Sequence, residues 1–453
     1  MKERWNNRAL FSLLWPLIIE QFLAMTMGVV ATVMVSPVGE FAVSGVNVID
    51  NINNLFIIAF IALSTGGAVV VSQYIGRQDS ENASIAAKQL IYIVTIASIV
   101  ISGIALLFRE PVIRIIYGVL EDDVMGAAMT FFLFSALSYP MLALYSACAA
   151  LFRSMGNSQV PMRVSILMNI LHIAGNVFFL YVLHMGVAGI ALSMLLSRTA
   201  AALVIFAMLA ASSRFPISLS GILRLTLVPS MIRRILNIGV PTGLEQSMFM
   251  LGRLLTQRIF PFFGTGIIAA NAIASVITSV TFMTGNAFGM ALLIVVGQCM
   301  GAGDIEAAKR EAAKILKITW IAVFIISGLT FIFRDFLTGL FNLSPDAHAA
   351  ASLFLSIHSI TLLVGWTFSF TLPNALRAAG DAKYVMMVAG ISMWTVRVTA
   401  AYLLSFGIPP LGIGGMGPLG VWFAMAADFL VRGICYVHRW KSGRWQKMKV
   451  IDP

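Results

Sequence analysis

From Ile91 to Leu107 the chain runs without a single charged side chain. A stretch of that length suits a bilayer core about 30 Å thick, which takes around 20 residues of helix to cross. Windows of that size find about twelve such stretches. They fall at 10–36, 47–74, 89–108, 125–150, 160–183 and 187–210, then at 235–262, 269–299, 314–333, 347–373, 384–406 and 417–437. Charged residues make up 11% of the chain, against roughly 25% in a soluble protein. Because every backbone group in lipid must bond within its own segment, the expected elements are helices. The alternation of a membrane barrel strand is absent.

The net charge of +11 is a topology signal. Of 30 Lys and Arg, only Arg109, Arg114 and Arg334 fall in loops on one side, while five lie inside spans. The rest crowd the other side, which reads as cytoplasmic and carries both termini. A nucleic-acid partner would need a basic face on a soluble domain, and there is none. The lipid bilayer is the expected surrounding, and the chain is expected to work as a monomer. Cys148, Cys299 and Cys435 are too scattered for a metal site and read as buried thiols. No HExxH, Walker A or GxSxG pattern is present. Nothing therefore points to an enzyme, to a bound cofactor or to ATP-driven transport.

The chain is also written twice. "WPLIIEQFL" at Trp15 to Leu23 and "VPTGLEQSMF" at Val240 to Phe249 share a proline, three residues and Glu-Gln, and Pro16 and Pro241 lie 225 residues apart (241 − 16). The same offset carries "QYIGRQDSENA" at Gln73 onto "QCMGAGDIEAA" at Gln298, and "FRE" at Phe108 onto "FRD" at Phe333. With one residue less, "LFRSMGNS" at Leu151 falls on "ALRAAGDA" at Ala375; with a longer last loop, "GVAG" at Gly186 falls on "GPLG" at Gly417. Six helices repeated as six keep both halves in one orientation. The expected organisation is an N-lobe at 1–211, a cytoplasmic linker at 212–234 and a C-lobe at 235–453. Parallel repeats of this kind accompany alternating access in transporters.

Those doubled motifs, with "LRAAGD" at Leu376 and "WTVR" at Trp394, resemble the MATE (multidrug and toxic compound extrusion) family along essentially the whole chain. The resemblance implies an all-α membrane fold of two six-helix lobes around a central cleft. It further implies export of small, amphipathic, often cationic organic compounds, driven by inward movement of H⁺ or Na⁺. A lipid-linked oligosaccharide flippase of the same broad superfamily is the alternative; Arg198, Arg253 and Arg397 keep it open, and twelve spans argue against it.

Charge at bilayer depth costs about 2.5–3.5 kcal/mol on insertion scales, so it marks a partner or a task. Besides Arg163, Lys314 and Lys317 at their cytoplasmic ends, the spans contain four acids, Glu20, Asp50, Glu245 and Asp428, and five cations, Arg198, Arg253, Arg258, Arg397 and Arg432. Glu20 and Glu245 read as sitting near the midplane, where a carboxylate among apolar side chains is a candidate for proton exchange. They are the candidate coupling residues, with H⁺ or Na⁺ at Glu245; the plainer reading is a buried Glu held by an Arg. Family members usually carry an aspartate in span 1 where this chain has Ala31, which shifts the weight to Glu245. Asp50 in "NVIDNINN", Asn169 and Asn176 on one face of span 5, and Gln246 are the candidate cleft-lining residues; Asp50 as a helix cap is the rival reading. Arg198 is expected to pair with an acid or with carbonyls, and Asp428 with Arg432 one turn on. Both read as structural. Fixed positive charge at Arg253 and Arg258 argues against a purely cation-exporting protein.

Overall fold

The computed structural model describes residues 5–211, 215–408 and 413–451. Among the described residues the regular structure is all helical apart from a two-residue antiparallel pairing, β1 (Gly407–Ile408) with β2 (Ile413–Gly414). Its packing divides it into Asn6–Gly243 and Leu244–Pro453. These are the two lobes. The division lies inside a helix, beyond the boundary at 234 that the sequence suggests.

In the N-lobe, α1 (Asn7–Val35), α2 (Glu40–Gly76), α3 (Ser80–Leu107), the short α4 (Arg109–Tyr117), α5 (Asp122–Ser154), α6 (Gln159–Asn176) and α7 (Gly186–Ala211) follow in order. α6 runs on through a π-helical stretch, Val177–Val182. Asn6 starts α1 by accepting from the Ala9 amide at 2.8 Å, and Asp79 starts α3 by accepting from the Asn82 amide at 3.0 Å. Side-chain caps of this kind satisfy amides that a helix start leaves open. α5 is the core, with α2, α3 and α7 around it. Small residues allow the close approach: a Cβ on Gly45 would meet Ala127 at 2.8 Å, against the face of α5.

The linker after α7 is strapped to α3. The Gln89 side chain donates to the Thr226 carbonyl at 2.7 Å and accepts from the Val228 amide at 3.1 Å, and Tyr92 donates to the Ile222 carbonyl at 2.6 Å. The irregular chain ends at Val228, because α8 (Pro229–Gln257) begins there, ahead of the expected 234. The first half of α8 belongs with the N-lobe. There Gly66 of α2 faces Gly239 of α8 so closely that a Cβ on Gly66 would meet the Ile235 carbonyl oxygen at 2.5 Å and the Gly239 amide nitrogen at 2.7 Å.

The C-lobe repeats the plan with α9 (Thr265–Gly301), α10 (Ile305–Ile332), the short α11 (Arg334–Gly339), a fourth span, a fifth and α16 (Leu419–Lys441). The bounds of α9 and α10 are those of α2 and α3 moved by the offset of the sequence repeat. Asp304 caps α10 from the Ala307 amide at 2.9 Å, as Asp79 caps α3. The fourth span differs from its mate: α12 (Pro345–Thr361) passes through a π-helical stretch, Leu362–Thr371, into α13 (Leu372–Ala378). The fifth does likewise, from α14 (Ala382–Ile391) through Ser392–Val398 into α15 (Thr399–Phe406). Phe354, Leu355, Trp366, Trp422 and Phe429 lie in the core that these helices enclose.

Eleven helical stretches among the described residues are long and apolar enough to cross a membrane. The twelfth expected span, α8, is not among them. Arg233, Arg234, Glu245 and Arg253, with Asn237, Gln246 and Ser247, lower its apolarity. Cys148 and Cys299 are buried as expected, while Cys435 is half-buried.

Candidate functional site

Glu20 and Glu245 are both buried, and both meet an arginine. In the N-lobe Arg153, one residue from the end of α5, donates to Glu20 Oε1. Tyr145 adds its hydroxyl at 3.5 Å. In the C-lobe Arg377, one residue from the end of α13, donates from Nη2 to both Glu245 oxygens at 2.6 Å. Its Nη1 donates to Asn374 Oδ1 at 2.9 Å, and Asn374 in turn donates to the Phe370 carbonyl at 2.9 Å. The two pairs are one pair, duplicated: Arg153 and Arg377 stand in "LFRSMGNS" and "ALRAAGDA" at matched positions.

This corrects one expectation. Arg153 and Arg377 count among the cytoplasmic loop cations in the sequence, yet both lie within helices and pair with a buried carboxylate, Arg377 at 6% exposure. Glu20 and Glu245 themselves lie near the middles of α1 and α8. Breaking a buried ion pair from one side costs about 3–5 kcal/mol, because it strands the other charge. Each pair therefore ties the first helix of its lobe to the end of the fourth span. Among the described residues no three of His, Cys, Asp and Glu gather as a metal site. A sodium ion at Glu245 would take its remaining ligands from carbonyls, hydroxyls or water.

Away from those pairs, the polar interiors of the lobes differ. In the N-lobe, Asp50 sits inside α2, well past its start at Glu40, which rules out its reading as a helix cap. Asn53 donates to Ser135 Oγ at 3.3 Å and to Asp50 Oδ1 at 3.5 Å, and Tyr139 donates to Asn53 Oδ1 at 2.7 Å. Arg198 Nη1 donates to Ser138 Oγ at 2.8 Å, and its charge acts on Asp50 and Tyr139. The partner of Arg198 is thus a hydroxyl, with the acid next to it. Asn169 is buried and donates to the Ser165 carbonyl at 2.9 Å. Asn176, fully buried, donates to Met34 Sδ at 3.7 Å. His172 lies between them on the same face, buried as well.

In the C-lobe, Asp428 is fully buried. Its Oδ1 accepts from Ser392 Oγ at 2.6 Å and from Arg432 Nε at 2.8 Å, so the expected one-turn pair is present. Arg397 enters as a third member, with Nη1 3.7 Å from Asp428 Oδ2. Rings enclose the group. Arg397 and Arg432 lie over the Phe249 ring at 5.3 and 5.4 Å. Phe282, Trp366 and Phe370 form a continuous stack with centroid spacings of 4.5 and 4.2 Å. His358 stands edge-on to Phe282 and to Trp422. Gly285 makes room for Trp366, whose indole nitrogen occupies the place a Cβ would take. Gln246, by contrast, is exposed, as is Arg253.

Sequence reasoning missed His172, His358, Trp366 and the ion-pair role of the two arginines. The arginines had a signal in the repeat itself; single histidines and a tryptophan in apolar helices had none.

Comparison with known proteins agrees with this geometry. The family model described as MatE matches residues 16–178 and, again, residues 241–403. The chain belongs to the MatE family. Its two matched segments begin at Pro16 and Pro241, the prolines that open the repeat. The chain is 32% identical over 442 residues to the "Uncharacterized transporter YisQ" of Bacillus subtilis (strain 168), covering 96% of this chain and 94% of that one. It is 24% identical over 469 residues to the "Probable multidrug resistance protein NorM" of Thermotoga maritima, covering 98% and 94%. Among solved structures, a crystal structure of MATE in the bent conformation superposes with a TM-score of 0.89 at 17% identity, covering 97% and 96%. The fold is that of a MATE transporter, and the chain is a multi-pass membrane protein of that family. The comparisons do not favour the flippase reading.

Proposed function

We propose that the chain is a secondary exporter in the bacterial plasma (inner) membrane, with both termini in the cytoplasm. It would move small amphipathic organic compounds outward against H⁺ or Na⁺ by alternating access, acting as a monomer and needing no cofactor beyond the coupling ion. Glu245 is the coupling carboxylate in this reading, and Glu20 its counterpart. The observation that carries it is the duplicated pair, Glu20 with Arg153 and Glu245 with Arg377.

Chemically, a proton or Na⁺ and the Arg377 guanidinium compete for the same two oxygens. When the ion takes Glu245, Arg377 is released and α8 is untied from α13. When the ion leaves, the pair re-forms. An ion that binds one arrangement better than the other shifts the balance by its differential affinity alone. Substrate preferring the other arrangement would then exchange with it. Asn374 holds Arg377 in place while Glu245 is occupied. Relatives described as probable multidrug resistance proteins support a broad range of small organic substrates.

The test uses purified protein in liposomes loaded with ethidium or a fluoroquinolone. Efflux is measured under a pH gradient and then under a Na⁺ gradient, for the wild type, Glu245→Gln and Glu20→Gln. Gradient-driven efflux by the wild type and its loss in Glu245→Gln are expected. Wild-type efflux by Glu245→Gln would remove Glu245 from the coupling step.

A further inference from the structure

Two guanidinium groups and one carboxylate meet inside the C-lobe. Arg397 Nη1 lies 3.7 Å from Asp428 Oδ2, and Asp428 pairs directly with Arg432. Asp428 neutralises one cation and leaves a surplus of positive charge. The donors are unfilled too. Arg397 Nε and Nη1 and Arg432 Nη2 have no hydrogen-bond partner among the described residues, although Arg397 is 6% exposed and Arg432 2%. The neighbouring Trp366 Nε1 is likewise a buried donor without a partner.

Both kinds of debt are large. A buried donor left open costs about 1–3 kcal/mol, more on a charged group, and unbalanced charge at membrane depth costs more again. Water would fill the donors but leave the surplus charge. An anionic group does both, since guanidinium N–H groups match the oxygens of a carboxylate or sulfonate. Arg397 lies on one π-helical stretch and Trp366 on another, a distortion that recurs at functional sites. Phe249 lies beneath both guanidiniums and supplies an apolar wall.

From this arrangement we infer that Arg397 and Arg432 bind the anionic head of an amphipathic aromatic compound, a carboxylate or sulfonate, with Asp428 holding the two arginines in position. The inference narrows the substrate class of the transporter proposed above and rests on that reading. It sets this lobe apart from a site for organic cations, which two arginines sharing one carboxylate would repel.

The experiment is binding, read without transport. Full-length protein in nanodiscs is titrated with 2-naphthoate and with the cationic (2-naphthyl)trimethylammonium while tryptophan fluorescence is followed. Each titration is repeated against chloride. The expected result is tighter binding of 2-naphthoate than of the cation, weakened roughly tenfold or more in Arg397→Gln and in Arg432→Gln. Arg397→Lys, which keeps the charge, should retain part of the binding and covers the case in which a Gln variant does not fold. Tighter binding of the cation, or unchanged 2-naphthoate binding in folded Arg397→Gln, would overturn the inference. Quenching by chloride alone, with no 2-naphthoate binding, would overturn it in favour of an inorganic anion. Efflux of ethidium alongside absent 2-naphthoate binding would sink this inference and leave the transporter reading standing.

Discussion

The two lobes have the same Glu–Arg pair and different interiors. Glu20 with Arg153 and Glu245 with Arg377 are copies in sequence and in geometry. Around them the copies have parted. Tyr145 leans on the N-lobe pair and Asn374 braces the C-lobe pair. Asp50, Asn53, Tyr139 and Arg198 fill the N-lobe with linked hydrogen bonds. At the corresponding C-lobe positions stand Ser275, Thr278, Leu363 and Phe429, and the charge has moved to Arg397, Asp428 and Arg432. What duplication kept is therefore the tie that shapes each lobe. What it released is the polar content, where a difference in substrate or ion preference can be stored.

The largest expected effect tests the shared part. Arg377→Ala strands Glu245 and should destabilise the protein by about 3–5 kcal/mol, seen as a lower Tm in detergent. Arg153→Ala should fall in the same direction and by less, because Arg153 is twice as exposed, 14% against 7% on the side chain, and Tyr145 still reaches Glu20. A Tm drop in one variant only would break the equivalence of the two pairs.

A smaller effect tests the divergent part. Tyr139→Phe removes a filled hydrogen bond to Asn53 and should cost about 0.6 kcal/mol, the average for such bonds between membrane helices. Thr367→Val, in the C-lobe, removes a buried hydroxyl with no partner among the described residues and should be neutral or stabilising. Unfolding midpoints of the two variants, measured side by side, check the contrast. A Thr367→Val loss as large as that of Tyr139→Phe would mean that the C-lobe hydroxyl is bonded in the membrane.

The smallest effect lies at the helix starts outside the membrane. Both the Asn82 side chain and its amide donate to Asp79, which holds that carboxyl below its ordinary value of 3.8. A carboxyl depressed on folding stabilises the protein above its unfolded pKa, and the contribution disappears as pH falls through the lower folded value. Asp304 has only the Ala307 amide at that register. Replacing Asn82 by Ala should make the first copy resemble the second and reduce the acid sensitivity of Tm below pH 4, by a small amount at so exposed a site. An unchanged acid limb would show that Asn82 does not set it.

The repeat made much of this fold legible. Moving α2 and α3 by the offset of "PLIIEQ" and "PTGLEQ" lands on α9 and α10. The buried acids of the site were also readable, because charge inside an apolar run has few innocent explanations. The cations that hold Glu20 and Glu245 were not. A hydropathy window ends a span where its apolar run ends, so Arg153 and Arg377 looked like loop residues. α5 runs 33 residues, about 50 Å at 1.5 Å per residue, and carries its arginine to the carboxylate. The π-helical stretches were hidden for another reason. They leave no period in the chain, and a close approach such as that of Gly365 to Phe429 joins positions 64 residues apart.

One continuous helix serves both halves of the molecule. α8 gives Pro229–Gly243 to the packing of the N-lobe and Leu244–Gln257 to that of the C-lobe. The gene duplication drew its line ahead of this helix, and folding drew it in the middle. A polypeptide severed in the linker would thus yield a first fragment with the face of Gly66 uncovered, and a second that begins with a segment foreign to its own core. Neither fragment would be self-sufficient; the two copies became one protein by lending a half-helix across their seam.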